Sequence, residues 1–393
     1  MKILHIIATV DPRTGGPLEG ILRSTEPLAR LGCLRELATL DHPDDPWVKE
    51  FPLPVFALGE RSLQARQRLS WLPWVRYGYT KRMAPWLKAR ARNYDVVVIN
   101  GIWNYCAAAA RQSLSADIPY YVFTHGMLDP WFRKRYPLKS AFKQLSWWIN
   151  EGPLLAKARA VLFTTEEERV RARNAFWPYR VKEFVVGYGT TDELGDPTNQ
   201  TSRFRGRLPV LGEKPFILFL SRIHEKKGCD LLIRAFAEVA STSPNLNLVI
   251  AGPDQTGWRR HLQSLADQLG ISQRVHWPGM LEGPEKWGAF RACEAFVLPS
   301  HQENFGIVVA EALACGKPVL ISDKVNIWRE VKESGAGLVA PDNVEGVVRL
   351  LKTFAELTPA QVKEMQFAAR RLFLDCFDLN QNAAKLVQLY RNG

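Results

Sequence analysis

EAFVLPSHQENFGIVVAEALACGKPVLISD, residues 294–323, is the stretch that decides the fold. Its first segment, EAFVLPS, is apolar with β-branched and aromatic members, which is typical of a buried strand. A polar turn follows, with Asn304 as the predicted N-cap of a helix that ends at Gly316. PVLIS is the next buried strand, so the stretch predicts a parallel βαβ unit. In such sheets ligands bind beyond the carboxyl ends of the strands, where the HQENFG turn lies.

Two carboxylates stand out in this stretch. Glu311 lies about two turns into a helix that is otherwise apolar, and no Lys or Arg lies one turn away from it. A buried carboxylate is costly without partners. Glu303 precedes the helix N-terminus, where backbone N–H groups favour phosphate, so the pattern suits a nucleotide-sugar. The alternative is that Glu303 is a solvated loop residue and that Glu311 pairs with a distant base.

Length and composition favour two α/β domains. The chain has 393 residues, too many for one ordinary core. A stretch rich in Gly, Pro, Thr and Asn predicts a boundary between a first domain over 1–195 and a second over 205–375. No run of 18 apolar residues occurs, which predicts no membrane-spanning helix. The six cysteines lack CxxC and metal-ligand spacing, which predicts reduced thiols, no metal site and a cytoplasmic protein.

Positive charge is concentrated in the first half of the chain. Residues 1–190 hold 28 Lys and Arg against 17 Asp and Glu, and residues 61–143 hold 15 against 3. Many Trp, Tyr and Phe residues lie within 61–148. Basic side chains with aromatics favour contact with an anionic membrane or a lipid-phosphate substrate. The alternatives are nucleic acid and a solvated basic face over core aromatics.

Candidate site residues in the first half follow predicted strands. KILHIIATV is the first strand, and Gly15 and Gly16 after it let backbone approach a ligand closely, although GGPLEG lacks the GxGxxG spacing. PYYVFTHG is a later strand that ends at His125. Six or seven strands alternate with helices here, which predicts a parallel, doubly wound sheet.

A second alternating series begins with KPFILFLS. The turn SRIHEKKG follows this strand and supplies Arg222 and Lys227 five residues apart. An Arg by bidentate contact and a Lys as a point charge neutralise a diphosphate. Taken alone they would be ordinary surface charges. Because Glu303 and Glu311 are predicted at the same sheet edge, the four residues would share one crevice.

These residues resemble the signature of the family-four glycosyltransferases, retaining enzymes with the two-domain GT-B fold. The resemblance rests on Glu303 and Glu311, with seven residues between them and ALACGKPVL after the second. Arg222, Lys227 followed by Gly, His125 followed by Gly, and the GG turn join it. The resemblance spans essentially the whole chain. It implies two Rossmann-like parallel-sheet domains that face a central cleft.

The resemblance also assigns roles. The first domain would bind the acceptor and the second the nucleotide-sugar donor, with a crossover helix over about 376–393 returning to the first domain. The catalytic residues would be Glu303, which holds the sugar hydroxyls, His125 near the 6-hydroxyl, and Arg222 and Lys227 at the diphosphate. The remaining donor contacts would be Gly15 and Gly16 near the phosphate, Met280 near the base, Glu311 at the ribose, and the backbone of Asn304, Phe305, Gly306 and Ile307.

Two departures from the family pattern affect these assignments. Ser221 replaces the usual Gly before the Arg, and LGCLRE replaces Gly-His-Glu-Val before the second strand. No DxD motif is present, because DHPDD at 41–45 is a Pro-containing loop, and the family generally needs neither metal nor cofactor. The resemblance implies same-face attack at the anomeric carbon, with the leaving phosphate accepting the acceptor's proton.

The sequence therefore predicts a retaining hexosyltransferase of surface polysaccharide or glycolipid synthesis. UDP-glucose is the preferred donor, and a saccharide or lipid-linked saccharide is the acceptor. The expected location is the cytoplasm, with peripheral contact at the inner face of the plasma membrane through 61–148. The alternatives are a nucleotide-sugar epimerase of the same fold and a basic nucleic-acid-binding protein. The second is disfavoured because no zinc-finger or RNA-recognition pattern occurs.

Overall fold

The computed structural model describes residues 1–14, 16–130, 137–192 and 195–392. Gly15 therefore lies outside the described residues. The chain forms two compact units. Unit 1 comprises residues 1–187 and 380–393, and unit 2 comprises residues 188–379. Each unit is built on one parallel β-sheet, as the alternating sequence pattern predicted.

Unit 1 contains a seven-stranded sheet in the order β3-β2-β1-β4-β5-β6-β7, and every pairing is parallel. Its central strands are apolar and buried, as expected for a sheet covered by helices on both faces. The strands are β1 Lys2–Ile7, β2 Leu34–Thr39, β3 Val55–Ala57, β4 Val96–Asn100, β5 Tyr120–Phe123, β6 Ala160–Phe163 and β7 Glu183–Val185.

The helices of unit 1 include two that carry a proline in their first turn. Pro73 begins a helix, but Pro85 lies in the first turn of another, where its missing N–H has no helical acceptor. The helices are α1 Gly16–Arg23, α2 Thr25–Arg30, α3 Pro46–Glu50, α4 Leu63–Arg68, α5 Pro73–Tyr77, α6 Met83–Arg90, α7 Tyr105–Ser113, α8 Pro137–Ser146, α9 Gly152–Lys157 and α10 Glu166–Ala172.

Unit 2 contains a six-stranded sheet in the order β10-β9-β8-β11-β12-β13, again parallel throughout. The two strands predicted from residues 294–323 are adjacent here as β11 and β12. Strands β8, β9, β11 and β12 are buried over their full length. The strands are β8 Phe216–Leu220, β9 Asn247–Ala251, β10 Val275–Gly279, β11 Ala295–Leu298, β12 Val319–Ser322 and β13 Gly337–Ala340.

Helices connect these strands in βαβ crossovers. Three helices close the chain; Asn343 caps the first, and Thr358 forms a capping box on the second. The helices are α11 Pro197–Arg207, α12 Cys229–Ala240, α13 Trp258–Gln268, α14 Gly283–Ala292, α15 Ile307–Ala314, α16 Trp328–Ser334, α17 Val344–Ala355, α18 Pro359–Leu372 and α19 Leu379–Asn392.

The last helix, α19, belongs to unit 1 from residue 380 onward. Its residues Val387 and Tyr390 are buried in a cluster with Ile3 and Val98 of the central strands. The Tyr121 hydroxyl also donates a hydrogen bond to the Leu389 carbonyl at 3.3 Å. Strands from the start of the chain and a helix from its end therefore share one core. Within the described ranges, no helix is long and apolar enough to cross a membrane.

Candidate active site

The carboxyl edge of the unit 2 sheet collects the candidate residues of the second half. β8 and β11 are neighbours, so the turns after them lie side by side. Arg222 and Lys227 follow β8, and Glu303 follows β11. The two turns are joined by a hydrogen bond from the His301 N–H to the Lys226 carbonyl at 2.8 Å. The turns that carry Arg222, Lys227 and Glu303 are therefore neighbours at one edge of the sheet.

The turn after β8 is fixed in shape by local contacts. Nδ1 of His224 accepts a hydrogen bond from the Lys226 N–H at 3.1 Å. Gly228 has a φ of 67°, in the left-handed region that glycine adopts readily. A Cβ at Gly228 would lie 2.2 Å from the Pro299 carbonyl oxygen, so only glycine lets the turn approach β11 so closely. This approach carries Lys227 towards the turn that contains Glu303.

Lys227 and Glu303 form an ion pair at this edge. The Lys227 side chain is buried, whereas Arg222 is exposed in the same turn. The backbone of Glu303 is held by its N–H donating to the Lys324 carbonyl and its carbonyl accepting from the Asn326 N–H, both at 3.0 Å. The Glu303 carboxylate can accept hydrogen bonds from hydroxyl groups, and the Lys227 ammonium group can bind a phosphate.

The helix after Glu303 begins later than predicted. Asn304 is not its N-cap, because α15 begins at Ile307 and Gly306 holds the cap position with a φ of 76°. A left-handed cap turns the chain sharply before the helix, and glycine allows it without strain. Phe305 is buried, while Asn304 and Ile307 are partly exposed at the start of the helix. This turn therefore lies at a helix N-terminus, where backbone N–H groups favour an anion.

Glu311 is buried in α15, as the apolar helix predicted. Its Oε1 lies 2.9 Å from Nζ of Lys286 in α14, so the carboxylate pairs with a base 25 residues away. This was the alternative interpretation of Glu311, and Lys286 is a site residue that sequence reasoning missed. A carboxylate has about four lone-pair sites, so Glu311 keeps acceptor capacity for hydroxyl groups beside its pairing with Lys286.

Met280 follows β10 at the same sheet edge. Gly279 before it has a φ of 82°, and its carbonyl accepts a hydrogen bond from the Gly252 N–H at 2.8 Å. The Met280 side chain is exposed. The unit 2 edge thus brings together the turns that carry Arg222, Lys227 and Glu303, with Met280 two strands away from β8 in the sheet order.

His125 and Gly16 both lie in unit 1. His125 follows β5 with a φ of 48°, an uncommon backbone conformation for a residue with a side chain. Glu168 accepts hydrogen bonds from the Thr124 hydroxyl at 2.9 Å and the Gly126 N–H at 2.6 Å, which clamps the backbone on both sides of His125. Gly16 begins α1 and is exposed.

A chain of polar contacts orients the imidazole of His125. Its Nε2 lies 3.3 Å from Oδ1 of Asn100, and Nδ2 of Asn100 lies 3.3 Å from Nδ1 of His5. Because an amide oxygen only accepts, this contact places the proton of neutral His125 on Nε2 and leaves Nδ1 as an acceptor. Burial lowers the pKa of His125 to about 4, so the ring is neutral near pH 7.

The lowered pKa of His125 predicts acid sensitivity of folding. In the unfolded chain a histidine takes up a proton near pH ~6.5, whereas folded His125 does so only near pH 4. The free energy of unfolding is therefore highest above pH ~6.5 and falls as the pH drops towards 4. His125→Gln is expected to lose less stability between pH ~7 and ~5 than the parent chain, as measured by urea unfolding. His301→Gln, at an exposed ring, is the control, and equal losses in the parent and His125→Gln would contradict the prediction.

A cavity of about 660 Å³ lies elsewhere in unit 2, at the C-terminal end of α15. Arg291, Lys363 and Arg370 line it, but Arg370 is bound to both carboxylate oxygens of Asp192 at 2.5 and 2.7 Å. The candidate site is therefore the sheet edge and not this cavity. Among the described residues, no group of three or more His, Cys, Asp or Glu has a geometry that could hold a metal ion.

Comparisons with known proteins cover both halves of the chain. Residues 15–189 match the family model described as glycosyl transferase 4-like domain, and residues 200–371 match the model described as glycosyl transferases group 1. The D-inositol 3-phosphate glycosyltransferase of Streptomyces avermitilis is 31% identical over 250 residues, which are 62% of this chain and 53% of the relative. The enzyme of the same name from Rhodococcus erythropolis is 34% identical over 255 residues, 62% of this chain and 56% of the relative. The chain thus spans about half the length of the curated relatives it matches.

Solved structures share the fold over the whole chain. Sucrose-phosphate synthase from Thermosynechococcus elongatus has a TM-score of 0.77 at 21% identity, with 100% of this chain and 98% of that chain covered. Anabaena Alr3699/HepE, solved in complex with UDP and glucose, has a TM-score of 0.73 at 19% identity and covers 100% of both chains. At these identities the likeness concerns the fold alone.

Proposed function

Because the chain belongs to the group 1 glycosyltransferases with the GT-B fold, we propose that it moves a hexose from a nucleotide-sugar to a saccharide or lipid-linked saccharide. The observation that carries the proposal is the ion pair of Lys227 and Glu303 beside the N-terminus of α15. A cation and helix N–H groups suit a diphosphate, and the carboxylate suits sugar hydroxyls. Glu311, buried within α15, is the proposed ribose contact.

The proposed reaction is substitution at the anomeric carbon with retention. The bond between the sugar and the diphosphate breaks, and the acceptor oxygen attacks from the same face. Lys227 and Arg222 stabilise the negative charge that develops on the leaving phosphate, which also accepts the acceptor's proton. Glu303 binds hydroxyls of the sugar and orients the anomeric carbon. The neutral His125 ring, with Nδ1 as acceptor, suits a contact with a sugar hydroxyl.

UDP-glucose is the proposed donor, and no metal or cofactor is proposed for the reaction. The complex of Alr3699/HepE with UDP and glucose supports this choice as the first donor to test. The relatives named for D-inositol 3-phosphate support a second acceptor class, a phosphorylated polyol, besides a lipid-linked saccharide. The basic region 61–148 favours the lipid-linked acceptor and peripheral contact with an anionic membrane, because acceptor and protein would meet at the same surface.

Thermal unfolding with nucleotides tests the donor site directly. Ligands that bind the native state raise the melting temperature by mass action. We expect UDP and UDP-glucose to raise it by several degrees, equally with magnesium and with a chelator, and GDP and ADP to raise it less. Arg222→Ala should abolish the shift, whereas Arg234→Ala, at another exposed arginine of unit 2, should keep it. No shift with any nucleotide would overturn the proposed site.

A further inference from the structure

One helical face in unit 1 is both exposed and apolar. It is formed by α8 and the π-helical turn Trp147–Glu151 that continues it. The large exposed apolar side chains on it are Phe142, Leu145, Trp148 and Ile149. Positions three or four apart lie on the same side of a helix, so these side chains form one stripe. Surface helices normally bury such a stripe, and an exposed one marks an interaction surface.

The polar side chains of the same segment contact the unit itself. Nζ of Lys143 lies 4.7 Å from the centre of the Trp103 ring. The Ser146 hydroxyl donates to Glu151 at 2.6 Å, and the Glu151 side chain is buried. Trp147, next to the exposed stripe, is also buried. The helix is therefore anchored by its polar groups and one Trp, which leaves its apolar stripe outside.

Trp177 extends the stripe from a separate loop. Its backbone N–H donates to Oε1 of Gln144 at 3.2 Å, and its carbonyl accepts from Nε2 of Gln144 at 2.6 Å and from Nε1 of Trp148 at 2.8 Å. These three hydrogen bonds tie the loop to the helix, yet the Trp177 side chain remains 74% exposed. The fold thus holds the Trp148 indole against the backbone of the Trp177 loop, with both side chains exposed.

The charge around this surface is positive. Lys139 is exposed on α8, and Arg180 and Lys182 are exposed after the Trp177 loop. A symmetric pair of chains would bring like cations together across the contact, which disfavours a second copy as the partner. Anionic lipid headgroups supply the opposite charge, and Trp side chains favour the interfacial layer of a bilayer.

We propose that these five residues, Phe142, Leu145, Trp148, Ile149 and Trp177, form a docking face for an anionic lipid bilayer. The rings and the aliphatic side chains enter the headgroup layer, while the surrounding Lys and Arg bind lipid phosphates. A second exposed pair, Trp71 and Trp74, lies around the start of α5. The inference rests on the proposed function, because a membrane-linked acceptor gives the protein a reason to bind a bilayer. It concerns membrane binding and not sugar transfer.

Vesicle sedimentation tests the docking face. The variant Phe142→Ser with Trp177→Ser removes two side chains that are at least 74% exposed, so the core is not opened. Phe367→Ser, at an exposed Phe of unit 2, is the matched control. We expect the parent and the control to bind vesicles of mixed phosphatidylglycerol and phosphatidylcholine roughly tenfold more tightly than the double variant. Pure phosphatidylcholine should bind all three weakly.

Three results would overturn the inference. The first is equal binding of the parent and the double variant to anionic vesicles. The second is equal binding of the parent to neutral and anionic vesicles, which would remove the role of charge. The third is a parent that ignores vesicles but forms a dimer that the double variant loses in size-exclusion chromatography, which would make a second copy the partner. The melting-temperature shift with UDP is measured on the same samples. A loss of nucleotide binding is thereby distinguished from a loss of vesicle binding.

Discussion

Lys227→Ala is expected to lower kcat for sugar transfer by a factor on the order of 10² to 10³. The Lys227 ammonium group is buried beside Glu303, in the turn that faces the N-terminus of α15. On the proposed mechanism it acts where charge develops, on the leaving diphosphate, so its removal affects the transition state more than the bound donor. The measurement is kcat and KM for UDP-glucose with a fixed acceptor.

The neighbouring residue provides a matched control. Lys226 is exposed one position earlier in the same turn, so Lys226→Ala removes an equal charge without touching the Glu303 pair. It should change kcat less than about threefold, because an exposed charge is screened by solvent. A fall of similar size in both variants would mean that general positive charge matters and that Lys227 has no special position. A raised KM with kcat unchanged would assign Lys227 to ground-state binding alone.

The sequence was most informative where the structure is set by local patterns. EAFVLPS and PVLIS form β11 and β12, because short apolar runs with β-branched residues between turn signals have few other ways to be buried. The start of α15 was less predictable. Asn304 has the usual chemistry of an N-cap, but the chain passes it and turns at Gly306, where positive φ is required. The sequence alone does not decide between two cap candidates as close as Asn304 and Gly306, because the tertiary contacts of the loop determine where the helix begins.

Contacts between distant residues were harder to predict. The pairing of Lys286 with Glu311 joins two helices that are separated by β11. The predicted burial of Glu311 was the available signal, because a buried carboxylate implies a partner. That signal does not identify which cation of the chain is the partner. The same holds for Glu168, whose carboxylate fixes the loop around His125 from α10. Such residues are identified from the structure, because the local sequence around them gives no sign of the contact.

The pair of Lys286 and Glu311 carries the second large prediction. Lys286→Met is expected to lower the free energy of unfolding of unit 2 by about 3 kcal/mol, the lower end of the range for breaking a buried pair. The side chain of Glu311 is only 2% exposed, so the variant leaves a buried carboxylate without this cation. Urea unfolding of the full chain at pH ~7 measures the change. Lys332→Met, at an exposed lysine of α16, is the control and should change stability by less than about 0.5 kcal/mol.

The double variant Lys286→Met with Glu311→Gln separates an ion pair from simple packing. If the cost of Lys286→Met comes from the loss of this cation beside the carboxylate, neutralising Glu311 in the same chain should recover most of the lost stability, because neither charge of the pair then remains. If the cost comes instead from lost packing, the double variant should recover no stability, because the methylene contacts of Lys286 are changed in both variants. If the separate costs of Lys286→Met and Glu311→Gln add up to the cost of the double variant, the 2.9 Å contact contributes no coupling energy. Recovery would show that the charge of Lys286 is what stabilises the Glu311 carboxylate within an apolar helix.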